Sequence, residues 1–202
     1  MRNIEQKGYL CDMNRPHITI RTARPEDAPA IAQAVAMAIG DEVALRNYCG
    51  ENYLDVLTAI ARSEGTQYSW QNALVAECNG MVAGAVVGYD GAQLVELRNG
   101  TLAIINQHTG RIPAIADETS AGEYYLDSVA VMPDFRGMGI GGYLVDAFCE
   151  EAFARGAQRV GLIVDTENPN AELLYVSLGF ECVGECDFFG HRMRHLQRGV
   201  RV

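Results

Sequence analysis

A short run of glycines between a strand pattern and a helix pattern is the strongest constraint on how this chain folds. The residues Leu126-Asp127-Ser128-Val129-Ala130-Val131 read as a strand, and Arg136-Gly137-Met138-Gly139-Ile140-Gly141-Gly142 precede an amphipathic helix. Backbone amides converge at such a helix start, the helix dipole favours negative charge, and glycine lets the backbone approach a phosphate closely. The sequence therefore predicts an anion-binding turn built from the amides of residues 137–142.

A second pattern lies nearer the C-terminus. The residues Asn168-Pro169-Asn170-Ala171 open a helix that carries Tyr175 and ends at Leu178-Gly179-Phe180. This segment matches one signature of the GNAT superfamily of acyl-CoA-dependent N-acyltransferases, Asn-x-x-Ala followed by Leu-Tyr and Leu-Gly-Phe. The glycine run matches the other family signature, Arg/Gln-x-x-Gly-x-Gly/Ala. The chain therefore resembles that superfamily.

The glycine signature is carried by Arg136, Gly139 and Gly141. The resemblance implies an α/β (α+β) fold with a mixed, mainly antiparallel, twisted sheet of roughly six or seven strands flanked by helices. It also implies a splay between two central parallel strands, where the cofactor lies in the family.

The spacing of apolar residues predicts the individual elements. Strands are predicted at residues 17–21, 72–77, 81–89, 124–131 and 159–164, and a last hairpin joins residues 180–186 to residues 190–196. Helices are predicted from residue 24 onward and over residues 51–62, 139–155 and 170–178. This order of elements indicates one α/β domain.

The domain organisation follows from these elements. Residues 1–16 are predicted to form an N-terminal arm, residues 17–196 a single N-acetyltransferase domain, and residues 197–202 a short tail. Residues 91–120 depart from the usual family layout, in which the next strand follows closely. We interpret them as a partly helical insertion that either covers the acceptor channel or builds a subunit contact.

The net charge of −10 over 202 residues constrains the partners. Nucleic-acid binding needs a basic footprint, so nucleic acid is not expected as a partner. An acidic protein attracts a cationic acceptor such as an amine, although acidity also serves solubility alone.

Two further features bear on location and on metal binding. No apolar run approaches the ~20 residues needed to cross a bilayer, and the first residues lack a secretory signal pattern, so we expect a cytoplasmic protein without a membrane partner. The six cysteines include no C-x-x-C pair, and no metal site is predicted. Cys78 and Cys149 fall in apolar patterns and are interpreted as small core residues.

The resemblance implies acetyl-CoA as the co-substrate. The amides of the glycine turn would hold its pyrophosphate, and Arg136 either adds charge there or caps the turn. The strand backbone would pair with the pantetheine arm, with the Val129 amide as oxyanion donor. Asn168 lies near that arm in the family, or caps its helix, or does both. The predicted cofactor-binding residues are Val129, Ala130, Val131, Arg136, Gly137, Met138, Gly139, Ile140, Gly141, Gly142 and Asn168.

The residues for proton transfer are assigned less completely than those for cofactor binding. The resemblance implies that Tyr175 protonates the departing thiolate, although it also suits an aromatic packed beside the cofactor. For the general base, Glu123 and Asp127 both border or lie on the predicted strand, and Asp127 shares a face with Val129 if no bulge intervenes. His17, His191 and His195 lie in terminal strand patterns and show no triad partner.

These features together favour an N-acetyltransferase. It would move an acetyl group from acetyl-CoA to a primary amine of a small molecule or peptide, by direct attack in a ternary complex. A non-catalytic acyl-CoA sensor and a transferase for a longer acyl group are the alternatives. A homodimer, common in the family, is left open.

Overall fold

One seven-stranded sheet lies at the centre of the structure, a computed structural model that describes residues 17–188 and 190–200. The strands are β1 (Ile18–Thr22), β2 (Ala73–Cys78), β3 (Met81–Asp90), β4 (Tyr124–Val131), β5 (Arg159–Asp165), β6 (Glu181–Phe188) and β7 (His191–Gly199). Their order is β1-β2-β3-β4-β5-β7-β6, and only β4 and β5 pair in parallel. The predicted mixed, mainly antiparallel sheet is confirmed. The predicted N-terminal arm lies outside the described residues.

Six α-helices accompany the sheet in the described part of the chain. They are α1 (Ala28–Ile39), α2 (Glu42–Cys49), α3 (Tyr53–Arg62), α4 (Leu94–Thr109), α5 (Ile140–Ala154) and α6 (Pro169–Ser177). Helix α2 is absent from the elements predicted from the sequence. Its start is stabilised by Asp41, whose Oδ1 accepts hydrogen bonds from the amides of Val43 and Ala44 at 2.8 Å and 3.3 Å.

The helices cover the two faces of the sheet and enclose separate apolar cores. On the first face, with α1 to α4, the largest fully buried core residues include Ile31, Val35, Leu57, Ile60 and Ile105. On the second face, with α5 and α6, they include Ile140, Leu144, Leu162, Phe180 and Leu196. The predicted core residues Cys78 and Cys149 are buried in the second core.

The two parallel strands separate after a short paired stretch. Strand β4 pairs with β5 only at Tyr124 with Val160 and at Tyr125 with Gly161. Beyond this point the edge of β4 that faces β5 has no partner strand among the described residues. This is the splay that the family resemblance implies.

A bulge in β4 changes which face of the sheet its side chains occupy. Ser128 pairs with Val87 but Leu126 pairs with Gly88, so Asp127 is the extra residue. Leu126 and Val129 therefore both pack in the core of the second face, where simple alternation would separate them. Asp127 points to the first face, away from Val129, because its carboxyl contacts Tyr89 there. Asp127 would share a face with Val129 only in a strand without a bulge, and the bulge in β4 separates the two side chains.

The C-terminal boundary also differs from the predicted one. Strand β7 continues to Gly199, which pairs with Arg159 at the start of β5. Residues 197–199 therefore belong to the sheet and not to a tail, because β5 extends far enough to provide their hydrogen-bond partners.

Residues 91–120 contain α4 and then an extended stretch that leads back to β4. We call residues 111–120 the return segment. Helix α4 packs against α3 and α2 on the first face. A partly helical character is thus observed for the predicted insertion.

Within the described residues, none of the helices combines the length and the apolar character that crossing a bilayer would require. The same residues contain no cluster of three or more histidine, cysteine or acidic side chains arranged to bind a metal ion.

Candidate active site

The glycine turn leads directly into α5 and leaves its backbone amides free. Gly137 and Gly139 have φ angles of 79° and 77°, a left-handed conformation that favours glycine. Within the described residues, no amide of residues 137–142 donates a hydrogen bond, and the first that does is Tyr143, to the Gly139 carbonyl at 3.3 Å. These amides lie at a helix N-terminus, where an anion is favoured.

A cleft of about 260 Å³ opens beside this turn. It is lined by Val131, Phe135, Arg136, Gly137, Gly139, Ile140, Gly141, Gly142 and Leu174. A β-carbon at Gly137 would have no neighbour within 4 Å, so the space above the turn is open to a ligand. Free amides around open space fit a pyrophosphate. Met138 is 40% exposed and is not among the lining residues.

Arg136 contacts the C-terminal end of β4. Its Nε donates a hydrogen bond to the carbonyl oxygen of Val131 at 3.3 Å. Of the two roles weighed from the sequence, the structure shows this contact to the strand end. Arg136 is also among the residues that line the cleft, so it brings a positive charge near it.

The hydrogen bonds of β4 determine which backbone groups face the splay. The amide of Met132 donates to the Ala83 carbonyl at 2.9 Å, so residue 132 points its polar groups at β3. Because these groups alternate along a strand, those of Ala130 also face β3, and those of Val129 and Val131 face the splay. The amide of Val129 thus faces the splay, where the described residues provide no partner strand.

Tyr175 lies on the second face, with Val129 and Val131. Its ring meets that of Phe180 edge-on, with centroids 5.8 Å apart. The hydroxyl makes no hydrogen bond within the described residues, and burial raises the pKa of Tyr175 to about 12. The group therefore remains protonated across the neutral range and is free to donate.

Asn168 caps α6. Its Oδ1 accepts a hydrogen bond from the Ala171 amide at 3.2 Å, which satisfies one of the free donors at the helix start. This contact explains the Asn-x-x-Ala spacing in local structural terms.

Asp127 occupies a polar pocket on the first face. Its Oδ1 accepts a hydrogen bond from the Ser128 hydroxyl at 2.8 Å, and its Oδ2 lies 3.4 Å from the Tyr89 hydroxyl. Desolvation, reinforced by the negative charge of Glu118, raises the pKa of Asp127 to about 7. A carboxyl group with this pKa can accept a proton near neutral pH.

The surroundings of Asp127 include three residues that the sequence did not single out. Tyr89 comes from β3, Gln67 from the loop after α3, and Glu118 from the return segment. The Oε1 of Glu118 accepts hydrogen bonds from the Tyr89 hydroxyl at 2.9 Å and from the Gln67 Nε2 at 2.8 Å. These residues match no motif, and only the tertiary fold brings them together.

Glu123, the other predicted base, is fully engaged in hydrogen bonds. Its buried carboxylate accepts from the Thr119 hydroxyl at 2.7 Å and the Gln197 Nε2 at 2.7 Å, and it contacts the Nε2 of His195 at 2.8 Å. These contacts tie the return segment to β7. His195 thus meets a carboxylate, because the sheet brings β7 beside the residue that precedes β4.

The chain matches known proteins over most of its length. The sequence profile described as "Acetyltransferase (GNAT) family" matches residues 51–180. Acetyltransferase ECA0875 of Pectobacterium atrosepticum is 32% identical over 121 residues, which are 59% of this chain and 64% of that protein. The chain thus aligns with less than two thirds of this relative.

Two crystal structures extend the comparison. One is that of an acetyltransferase, 35% identical, with a TM-score of 0.77 over 90% of this chain and 99% of the other. The second is an N-acetyltransferase from Staphylococcus aureus Mu50, 28% identical, with a TM-score of 0.77 over 88% of this chain and 98% of the other. The structural similarity therefore extends over about nine tenths of this chain, well beyond the matched motifs.

Proposed function

The chain belongs to the GNAT acetyltransferase family, and we propose that it transfers an acetyl group from acetyl-CoA to a primary amine of a small molecule or peptide. The amine attacks directly in a ternary complex. The observation that carries this proposal is the row of free amides at residues 137–142, beside an open cleft. This row matches the pyrophosphate of a CoA thioester in charge and in hydrogen bonding.

Binding begins at the glycine turn. The amides of residues 137–142 hold the pyrophosphate, and Arg136 adds positive charge at the edge of the cleft. From there the pantetheine arm follows the free edge of β4 as an added strand would, bonding to the outward backbone groups of Val129 and Val131. Bound acetyl-CoA supplies an activated thioester carbonyl.

The backbone amide of Val129 polarises that carbonyl. This amide faces the splay and donates to the carbonyl oxygen as negative charge develops there. One such preorganised donor contributes about 3 kcal/mol to lowering the barrier.

Two side chains on opposite faces of the sheet carry out the proton transfers of the reaction. Asp127, on the first face, accepts the proton that the amine nitrogen loses as the new C–N bond forms and the C–S bond breaks. Tyr175, on the second face, donates toward the departing sulfur. The splay between β4 and β5 joins the two faces at this point.

The acceptor reaches Asp127 from the first face. Residues 91–120 build part of that surface, since Glu118 contacts Tyr89 next to Asp127. Of the two roles considered for these residues, a wall of the acceptor channel is the one that these contacts support. The carboxylates and the net charge of −10 favour capture of a cationic amine, which loses one proton to solvent before its neutral nitrogen attacks.

The test is release of CoA thiol from acetyl-CoA by purified protein, measured across a panel of small amines and short peptides. We expect release that depends on the amine and that falls in the Asp127→Asn variant. Saturable acetyl-CoA binding with no release on any amine would contradict acetyl transfer and favour a non-catalytic acyl-CoA sensor. Propionyl- and succinyl-CoA in the same assay test the longer acyl groups.

A further inference from the structure

The hydroxyl of Tyr89 lies between two carboxyl groups. It is 2.9 Å from Oε1 of Glu118 and 3.4 Å from Oδ2 of Asp127. It also accepts a hydrogen bond from the Gln67 Nε2 at 3.0 Å. A phenol has one proton to donate, so it cannot serve both carboxylates at once. The shorter distance assigns that proton to Glu118.

Glu118 is held firmly in this position. Arg98 of α4 forms ion pairs with Glu118 and with Asp117, and its Nη2 donates to the Ala116 carbonyl at 3.1 Å. The side chain of Glu118 is only 5% exposed, whereas that of Asp117 is 70% exposed. The guanidinium group of Arg98 places a positive charge directly against the Glu118 carboxylate in this enclosed position.

These contacts leave ionised Asp127 with one short side-chain donor, the Ser128 hydroxyl at 2.8 Å. When Asp127 is protonated, its own O–H can instead donate to the oxygen of Tyr89, whose proton is already directed at Glu118. The arrangement of donors therefore favours the protonated form of Asp127, and the charge of Glu118 acts in the same direction.

We propose that Glu118 of the return segment is a positioning residue which, through the hydroxyl of Tyr89, makes Asp127 a stronger base toward the proton of the amine. The proposal rests on the proposed function, because that function assigns Asp127 as the base. It gives residues 91–120 a part in proton transfer as well as in shaping the acceptor channel.

The raised pKa of Asp127 agrees with this geometry. Burial is the largest cause and the charge of Glu118 is the next. Opposing contributions come from the Ser128 hydroxyl, from the Tyr89 hydroxyl in the orientation that donates to Asp127, and from the charge of Arg98. The titratable groups that face Asp127 from the surrounding elements are Tyr48 of α2, Tyr68 of the loop after α3, Tyr89 of β3, Arg98 of α4, Glu118 of the return segment and Tyr125 of β4.

Carbon-13 NMR of protein labelled at its aspartate side chains measures the pKa of Asp127. It therefore tests the effect of Glu118 on Asp127 without any amine acceptor. We expect Glu118→Gln to lower the pKa of Asp127 by roughly one unit, because a nearby negative charge is removed. Asp117→Asn is the matched control, since it removes the other carboxylate bound to Arg98 but not the contact with Tyr89. Glu118→Asp, which keeps the charge, should give an intermediate value. Equal values in wild type and Glu118→Gln, with the fold intact by near-UV circular dichroism, would overturn the proposal.

The pH dependence of kcat/KM for the amine is the second measurement. Activity should rise with pH as Asp127 ionises, and in Glu118→Gln this rise should move to lower pH while the plateau falls, because a weaker base transfers protons less well. A lowered Asp127 pKa without turnover of any amine would uphold the link and contradict the proposed function. Turnover with an unmoved profile would contradict the role of Glu118.

Discussion

Gly161 of β5 lies directly against the carboxyl group of Glu123, so that a β-carbon at position 161 would be 1.8 Å from its Oε2. Only a residue without a side chain leaves room for that carboxylate. Glu123 joins Thr119 of the return segment to His195 and Gln197 of β7. The absence of a side chain at Gly161 therefore allows the return segment and β7 to be linked through this carboxylate.

Replacing Gly161 by alanine should therefore destabilise the protein. The added methyl group displaces Glu123 and leaves a buried carboxylate without its donors, at a cost of about 2–3 kcal/mol in the free energy of unfolding. Urea unfolding measures this loss. Gly184→Ala is the control, because a β-carbon there meets nothing within 4 Å, and an equal loss in both variants would contradict the explanation.

Removal of the proposed base should affect turnover and not cofactor binding. In Asp127→Asn we expect kcat to fall by about 10²–10⁴, the usual contribution of general acid–base catalysis, with the Kd for acetyl-CoA unchanged. The wild-type rise in rate around pH 7 should disappear in the variant, since Asp127 has a pKa of about 7. A variant that retains both its rate and its pH profile would remove Asp127 from the mechanism.

The same carboxyl group should make the stability of the fold depend on pH. Its folded pKa of about 7 lies above the unfolded value, so its contribution is fully present below about pH 4 and is lost as pH rises toward 7. Wild type should therefore lose stability relative to Asp127→Asn between these values, by at most a few kcal/mol. Parallel stability curves for the two proteins over this range would refute the expectation.

Tyr175→Phe should lower kcat by only about tenfold. With a pKa of about 12 the hydroxyl is a reluctant proton donor toward a thiolate, so its assistance is small. No decline of the wild-type rate from Tyr175 ionisation is expected below about pH 10. Steady-state kinetics check both points, and a loss as large as that in Asp127→Asn would show that the acid role is underestimated here.

The glycine turn can be tested by a matched pair of substitutions. Gly139→Ala and Gly110→Ala each place a β-carbon on a residue with φ near +70 to +77°, so both should lose roughly 1–2 kcal/mol of stability. Only Gly139 belongs to the cleft, so only its variant should also bind acetyl-CoA more weakly, as calorimetry would measure. Equal affinity in the two variants would separate the turn from cofactor binding.

The predictions from sequence succeeded where the signal is local. The predicted helix 139–155 and the observed α5 (Ile140–Ala154) differ by one residue at each end, because a glycine turn and an apolar stripe define both limits. Strand β4 was predicted with its observed bounds for a similar reason.

Long-range pairing explains what could not be predicted. The bulge at Asp127 depends on the register between β3 and β4, which no pattern within either strand reveals. The contact of Tyr89 with Glu118 joins residues far apart in sequence and depends on where α4 and the return segment pack. Helix α2 is short, and only the Asp41 cap signals its start.

The bulge in β4 affects the order in which the two substrates bind and are released. Under the proposed function, the amine reaches the splay from the face that carries Asp127, and acetyl-CoA reaches it from the cleft beside the glycine turn. With two such routes, neither molecule needs to leave for the other to be exchanged. We therefore expect an unreactive analogue of the amine to lower the maximal rate measured against acetyl-CoA at a fixed amine concentration, without competing for the acetyl-CoA site.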